Sequence, residues 1–165
     1  MKTLLVLRHA KSSWKDSGLA DSERPLNGRG KRASDLIGRF LRKEKLRPDL
    51  VLCSTAIRAR ETARLVLEAA RLVVETRYDQ RLYLASAGRL AEIVSQIDED
   101  RANVMLVGHN PGMEELLPRL TGVTVSMPTA ALAKIDLDVD QWNAIAEKKQ
   151  GRLEWLVTPK ELDDG

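Results

Sequence analysis

The sequence has few of the residues that build cross-linked, metal-bound or membrane-spanning proteins. Only one of its 165 residues is a cysteine, Cys53, which excludes a disulfide framework and a multi-cysteine metal site. No stretch approaches the ~18 consecutive apolar residues of a transmembrane helix. The N-terminal apolar run, residues 4–7, is too short for a signal peptide. We therefore expect a soluble, cytoplasmic protein without a bound metal or cofactor, in which Cys53 is a buried thiol.

Aromatic residues and net charge are also scarce. Aromatic side chains make up 4% of the chain, and 27 Lys and Arg against 24 Asp and Glu leave a formal charge of +3. Nucleic-acid binding needs clustered cations interleaved with aromatic residues, and the sequence has no such stripe, so we expect neither a nucleic acid nor a membrane as partner. The length and the 43% hydrophobic content predict a single domain over residues 1–165. No feature marks a dimer face, and a monomer is the default expectation.

Apolar runs of strand length alternate with helical patterns in the first two thirds of the chain. The predicted strands here are residues 3–7, 50–53, 73–75 and 103–107, and the predicted helices are 33–41, 56–72, 90–97 and one opened by Pro111. Two further strands, 130–137 and 152–157, follow with only a polar connection, 138–150, between them. This order predicts an α/β fold, a three-layer α/β/α sandwich with a mostly parallel central sheet and an antiparallel edge.

The two histidines of the chain follow two of the predicted parallel strands. His9 comes after residues 4–7 with one residue between, and His109 comes after 104–107 in the same way. A single histidine in such a place is more often a solvated loop residue. Two in matching positions, at the sheet edge where open α/β folds bind ligands, favour a functional site.

Three arginines occupy related positions. Arg8 adjoins His9, Arg24 lies in the loop that follows, and Arg58 begins the helix after the second strand. Guanidinium groups bind tetrahedral oxyanions through paired hydrogen bonds, so this set predicts a phosphate-binding pocket. We expect most of the other arginines to coat the surface, among them Arg29, Arg32, Arg39 and Arg42.

These residues carry a resemblance to a known family. Leu7-Arg8-His9-Ala10-Lys11-Ser12 resembles the Arg-His-Gly signature of the histidine phosphatase superfamily, which includes phosphoglycerate mutases and acid phosphatases. Residues 54–62, Ser-Thr-Ala-Ile-Arg-Ala-Arg-Glu-Thr, are similar to its second-arginine motif, and Val107-Gly108-His109-Asn110 matches its second-histidine motif. The motifs agree in order and spacing across residues 8–110. The small size and Arg24-Pro25-Leu26 are most similar to the SixA-type phosphohistidine phosphatases.

The resemblance implies a phosphoglycerate mutase-like fold and a mechanism. His9 would attack phosphorus and become a transient phosphohistidine that water hydrolyses, with Arg8, Arg58 and His109 as the other catalytic residues. Arg8, Arg24, Arg58, His109 and Ser12 would bind the phosphoryl oxygens, His109 being protonated by the nearby phosphate charge. The arginines supply the positive charge that Mg²⁺ supplies elsewhere, so the reaction needs no metal.

The sequence also departs from the family pattern. Ala10 replaces the usual glycine, Lys15 stands where the mutase branch has asparagine, and no proline follows Ser54. Where that branch has a general-acid glutamate, the chain has Tyr83 and Ala85.

The missing acid bears on the substrate. An alkoxide leaving from a phosphate ester needs a proton donor, whereas phosphohistidine can leave as neutral imidazole after taking a proton from solvent. The candidate donors are Asp21, Asp79 and Glu114, and each is more simply explained as a surface carboxylate.

We therefore predict a metal-independent phosphatase acting on phosphohistidine in proteins, with histidine phosphotransfer domains among its candidate substrates. Short connections leave little chain for a lid, which favours a protein-borne substrate over a small metabolite. The alternatives are a small-molecule phosphomonoesterase that uses the same pocket and a non-catalytic phosphate-binding module. The sequence does not decide whether Lys11 and Lys15 contact the substrate. For Trp14 it leaves two roles open, contact with a protein substrate or packing in a partly buried position.

Overall fold

The computed structural model describes residues 1–146 and 149–164. Six strands are present: β1 (Lys2–Arg8), β2 (Leu50–Ser54), β3 (Thr76–Asp79), β4 (Asn103–Gly108), β5 (Leu132–Leu137) and β6 (Gly151–Val157). The α-helices are α1 (Gly28–Lys43), α2 (Ile57–Ala70), α3 (Ala87–Ser95), α4 (Gly112–Thr121) and α5 (Pro159–Asp164). Short 3₁₀ helices cover Asp21–Glu23, Gln80–Leu82 and Trp142–Ala146.

All six strands form one sheet in the order β3-β2-β4-β1-β5-β6. The first four in this order are parallel to one another. Strand β5 pairs antiparallel with β1, and β6 pairs antiparallel with β5. In β1, Leu4 and Val6 pack into the apolar cluster on one face and Leu5 and Leu7 into that on the other, since side chains alternate along a strand. The predicted α/β architecture, with its mostly parallel sheet and antiparallel edge, is confirmed.

Helices cover both faces of the sheet through their apolar stripes. Helices α1 and α2 bury residues such as Ile37 and Val66 on one face, whereas α3 and α4 bury Leu90 and Leu116 on the other. Helix α1 lies close against α2 because Gly38 has no side chain, and a Cβ there would collide with the carbonyl oxygen of Val66. This contact holds the second half of α1 closely against the C-terminal end of α2.

Several predicted elements differ in their bounds from the structure. The third strand was predicted at 73–75 but is Thr76–Asp79, which pairs with β2 from Val51 onward. It is an edge strand and is only partly buried, so it lacks the continuous apolar run on which the strand prediction relied. Helix α4 begins at Gly112, with Pro111 as its N-cap residue.

The predicted polar connection 138–150 includes the 3₁₀ helix Trp142–Ala146, whose Trp142 is fully buried and donates a hydrogen bond to the carbonyl oxygen of Arg101. Residues 147 and 148 of this connection, and residue 165 of the predicted domain, lie outside the described residues. In the described ranges, no helix is both long and apolar enough to cross a membrane.

Candidate active site

The sheet brings the two histidines together. Strands β1 and β4 are parallel neighbours, with Arg8 in register with Gly108, so the residues that follow them lie side by side. The ring centroids of His9 and His109 are 5.1 Å apart. Strand β2 borders β4 on its other side, and Arg58 on the first turn of α2 reaches the same edge. The site thus lies at the carboxyl ends of three adjacent parallel strands, as predicted.

The imidazole of His9 is held in one tautomer. Its Nδ1 lies 2.7 Å from the carbonyl oxygen of Ala10, which only accepts, so Nδ1 carries the proton and Nε2 keeps its lone pair. The pKa of His9 is lowered to about 4: burial is the largest cause, the hydrogen bond to the Ala10 carbonyl opposes it, and the charges of the three arginines add to the lowering. At neutral pH the ring is therefore uncharged, with a free nitrogen of nucleophilic character.

His109 is also neutral in the free site. Burial is the largest cause that lowers its pKa to about 3, followed by the nearby His9 and Arg58. Its Nδ1 lies 3.4 Å from Nη2 of Arg58, which only donates, and its Nε2 lies 2.8 Å from Oγ of Ser54. Hence Nε2 carries the proton and Nδ1 accepts. The protonated His109 expected from the sequence requires the charge of a bound phosphate, which would raise this pKa.

The three predicted arginines are held by different parts of the chain. Arg8 donates through Nη1 to the carbonyl oxygen of Met127 at 2.9 Å. Arg24 donates through Nη2 to Oγ of the buried Ser12 at 2.7 Å. Arg58 donates from Nη1 to the carbonyl oxygen of Asp21 at 2.7 Å. Each contact fixes one end of a guanidinium group.

Several guanidinium nitrogens have no protein partner. Nε of Arg8, Nε and Nη1 of Arg24 and Nε of Arg58 are buried and make no hydrogen bond. Nε of Arg24 lies 3.4 Å from Oδ1 of Asp21, close enough for charge attraction but without hydrogen-bond geometry. A buried donor without an acceptor costs free energy, about 1–3 kcal/mol and more for a charged group. The unpaired donors of the site can therefore donate to hydrogen-bond acceptors such as the oxygens of an oxyanion.

Asp21 and Tyr83 complete the rim, and sequence reasoning did not foresee their joint role. Oδ2 of Asp21 accepts from Nη2 of Arg58 at 2.9 Å and from the phenol of Tyr83. These hydrogen bonds, that of Tyr83 foremost, hold the pKa of the Asp21 carboxyl below its usual value. The Tyr83 ring stands edge-on to His109, with centroids 5.4 Å apart. The sequence held one indication that Tyr83 belongs to the site: it lies in the stretch where the mutase branch of the family has its general-acid glutamate.

The other two candidate acids have structural partners. The Asp79 carboxylate is bound by the guanidinium of Arg81, which lowers its pKa. Glu114 accepts from the backbone N–H of Met127 at 2.8 Å and so holds the segment whose carbonyl binds Arg8. The pKa values of the Asp21 and Asp79 carboxyls are both lowered, so neither is held in a protonated form.

Thr62 ties the nucleophile loop to α2, which sequence reasoning also missed. Its Oγ1 accepts from the backbone N–H of Ala10 at 2.9 Å and donates to the carbonyl oxygen of Arg58 at 2.7 Å. The signal was its place as the last residue of the second-arginine motif. It fixes His9 relative to Arg58 through two buried hydrogen bonds.

The remaining predicted positions are more peripheral. Trp14 is 77% exposed, so it is not a packing residue, and its ring lies 3.4 Å from the guanidinium carbon of Arg24. Lys11 and Lys15 are exposed at the surface. Cys53 is fully buried as predicted, and burial raises the pKa of its thiol to about 12. Among residues 1–146 and 149–164, no group of three or more His, Cys, Asp or Glu could hold a metal ion.

Comparisons with known proteins agree with this geometry. Residues 4–89 match the model of the histidine phosphatase superfamily, branch 1. The chain is 38% identical to an uncharacterised protein of Mycobacterium tuberculosis over 118 residues, 72% of this chain and 72% of that protein. It is 30% identical to an uncharacterised chloroplast protein of Arabidopsis thaliana over 170 residues, 96% of this chain and 78% of that protein.

Solved structures point to a type within that superfamily. A SixA protein from Agrobacterium tumefaciens is 29% identical, with a TM-score of 0.82 over 96% of this chain and 98% of that one. The protein histidine phosphatase SixA in complex with tungstate is 25% identical, with a TM-score of 0.83 over 97% and 99%. The chain therefore belongs to branch 1 of the histidine phosphatase superfamily and is of the SixA type.

Proposed function

We propose that the protein is a phosphatase that removes the phosphoryl group from phosphohistidine on proteins, through an intermediate on His9. The observation that carries the proposal is the set of buried guanidinium donors of Arg8, Arg24 and Arg58 that lack a protein acceptor beside a neutral His9. Such donors stabilise the equatorial oxygens of a transferring phosphoryl group. The similar protein histidine phosphatase SixA forms a complex with tungstate, a tetrahedral oxyanion, and this supports a phosphoryl-binding site in a protein of this type.

The reaction would proceed in two displacements. Nε2 of His9 attacks phosphorus as the P–N bond of the substrate breaks, and the departing imidazole leaves neutral with a proton taken from solvent. Water then attacks the phosphorus on His9, the P–N bond to His9 breaks, and inorganic phosphate is released. His109 becomes charged beside the bound phosphoryl group and donates from Nδ1, which accepts from Arg58 in the free site. The arginines supply the positive charge, so no metal is required.

The protonation states favour phosphohistidine over an ester. The Asp21 carboxyl lies at the rim of the site, but its lowered pKa keeps it ionised at neutral pH. It therefore cannot protonate an alkoxide, whereas a phosphoramidate can take its proton from water. The Tyr83 phenol donates its proton to Asp21 and has a raised pKa, so it also serves poorly as an acid.

The test compares phosphate release from a histidine-phosphorylated carrier protein with release from p-nitrophenyl phosphate, both in EDTA. We expect faster turnover of the phosphohistidine, abolished in His9→Ala, and an acid-labile, alkali-stable phosphate on the wild-type enzyme after rapid quenching. Arg58→Lys should retain the charge but lose the paired donors, and kcat should fall at least 100-fold. Arg39→Lys is the matched control, because Arg39 is exposed and its ion-pair partner among the described residues is Asp35.

Two results would contradict the proposal. A preference for p-nitrophenyl phosphate would favour a small-molecule phosphomonoesterase with an acid that the free structure does not reveal. Phosphate binding without His9-dependent turnover of either substrate would favour a binding module.

A further inference from the structure

A basic groove adjoins the candidate site on its α1 side. It has a volume of about 730 Å³ and runs between α1, the segment before β5 and α5; we call it the α1–α5 groove. Lys11, two residues after His9, is one of its lining residues. Thr129 lines it too, and the next residue, Ala130, donates its backbone N–H to the carbonyl oxygens of Arg8 and His9 at 3.1 and 3.0 Å. The groove therefore begins at the rim of the nucleophile loop.

The groove carries an excess of positive charge. Lys11, Arg29, Arg32 and Lys160 line it, against one carboxylate, Asp163. Within the described part of the chain, none of these four cations takes part in an ion pair or a side-chain hydrogen bond. Further along α1, by contrast, Arg39 pairs with Asp35 at 2.8 Å.

Helix α1 strengthens this field. Its first turn contains Arg29 and no acidic residue, so no carboxylate of that turn offsets the positive end of the helix dipole. The floor of the groove is apolar, formed by residues such as Ala33 and Leu36. None of its lining residues is aromatic, which disfavours a single-stranded nucleic acid as occupant because its bases would have no ring to stack on.

We propose that the α1–α5 groove binds an acidic segment of the substrate protein, adjacent in that protein to the phosphohistidine. This inference rests on the proposed function and adds the feature that selects the substrate. Glutamate or aspartate side chains would pair with Arg29, Arg32, Lys11 and Lys160, and apolar residues between them would cover the floor. The phosphohistidine would then enter the site past Lys11.

The test uses two synthetic peptides that carry the same phosphohistidine, with four glutamates or four glutamines on one side of it. We expect kcat/KM of the wild type to be about tenfold higher for the glutamate peptide, through KM, because several exposed ion pairs each add a fraction of this factor. Arg29→Glu/Arg32→Glu should remove the preference and leave the rate on the glutamine peptide within about twofold. Arg42→Glu/Arg47→Glu changes the charge equally at the far end of α1 and should keep the preference.

Fluorescence anisotropy of the unphosphorylated glutamate peptide separates this proposal from the proposed function. If neither phosphopeptide is hydrolysed but the glutamate peptide binds, and Arg29→Glu/Arg32→Glu abolishes binding, the groove stands and the phosphohistidine activity falls. The groove proposal is overturned if the wild type turns over both peptides equally, or if the two double variants lose the preference for the glutamate peptide equally. Tighter binding of an oligodeoxythymidylate than of the glutamate peptide would also overturn it, in favour of a nucleic acid.

Discussion

The two histidines should make the free protein unstable to mild acid. In the folded protein the pKa values of His9 and His109 are about 4 and about 3, so both rings are neutral at pH 5. In the unfolded chain the same rings have a pKa near ~6.5 and take up protons between pH 7 and pH 5. The unfolded state then binds more protons than the native state, so the free energy of unfolding falls as the pH falls.

The size of this loss follows from linkage. A histidine with an unfolded pKa of ~6.5 that stays neutral in the fold loses about 1.8 kcal/mol of stability between pH 7 and pH 5. Together, His9 and His109 lose roughly 3.5–4 kcal/mol, a large part of the ~5–15 kcal/mol that stabilises an ordinary domain. They are the chain's only histidines, and carboxyl groups titrate mostly below pH 5, so this pH window belongs to these two residues.

The assay is urea unfolding followed by tryptophan fluorescence at pH 7 and pH 5, in the wild type and in His9→Asn and His109→Asn. Each variant should lose about half of the wild-type pH dependence, whatever its stability at pH 7. Addition of tungstate should flatten the wild-type dependence, because an anion held by the arginines favours charged histidines. If the free energy of unfolding of the wild type falls by less than about 1 kcal/mol between pH 7 and pH 5, the prediction is wrong, because the buried rings then protonate near their ordinary pKa.

Three further outcomes are expected. Trp14→Ala should raise KM about three- to tenfold by freeing the Arg24 guanidinium, with unfolding free energy changed by less than about 0.5 kcal/mol because the ring is exposed; unchanged KM would contradict this. Gly38→Ala should lower the free energy of unfolding by about 1–3 kcal/mol, since its Cβ would meet the Val66 carbonyl; Gly88→Ala, whose Cβ would make only ordinary van der Waals contacts, is the control in the same urea titration. Cys53 should react with Ellman's reagent only on unfolding, and rapid reaction in the native protein would contradict its burial.

The sheet shows which elements can be predicted from patterns. The central strands β1, β2 and β4 were predicted nearly to the residue, because strands covered on both faces are continuous apolar runs. The edge strand β3, Thr76–Asp79, lies directly after the predicted residues 73–75. The prediction missed it because the strand is only partly buried and its residues are largely polar. Apolar patterning reports burial, so it identifies the centre of a sheet better than its edge.

The histidines and arginines of the site could be identified because each follows a predictable strand or begins a predictable helix. His9 and His109 follow β1 and β4, and Arg58 lies on the first turn of α2, so these elements bring them to the same edge of the sheet. Arg24 lies in a long loop, and its place depends on Ser12 and Trp14, which only the folded loop brings to it. The hydrogen bond between Tyr83 and Asp21 joins residues 62 apart in the chain, so no local sequence pattern predicts it.

The sequence by itself determined the layered fold, the edge of the sheet that binds a ligand and the types of residue that meet there. These depend on hydrophobic periodicity and on the rule that parallel strands end at a common edge. Only the tertiary structure decided the protonation of the site. The tautomers of His9 and His109, their lowered pKa values and the ionised Asp21 arise from burial and from contacts across the fold, because the energy of a charge depends on its surroundings in space.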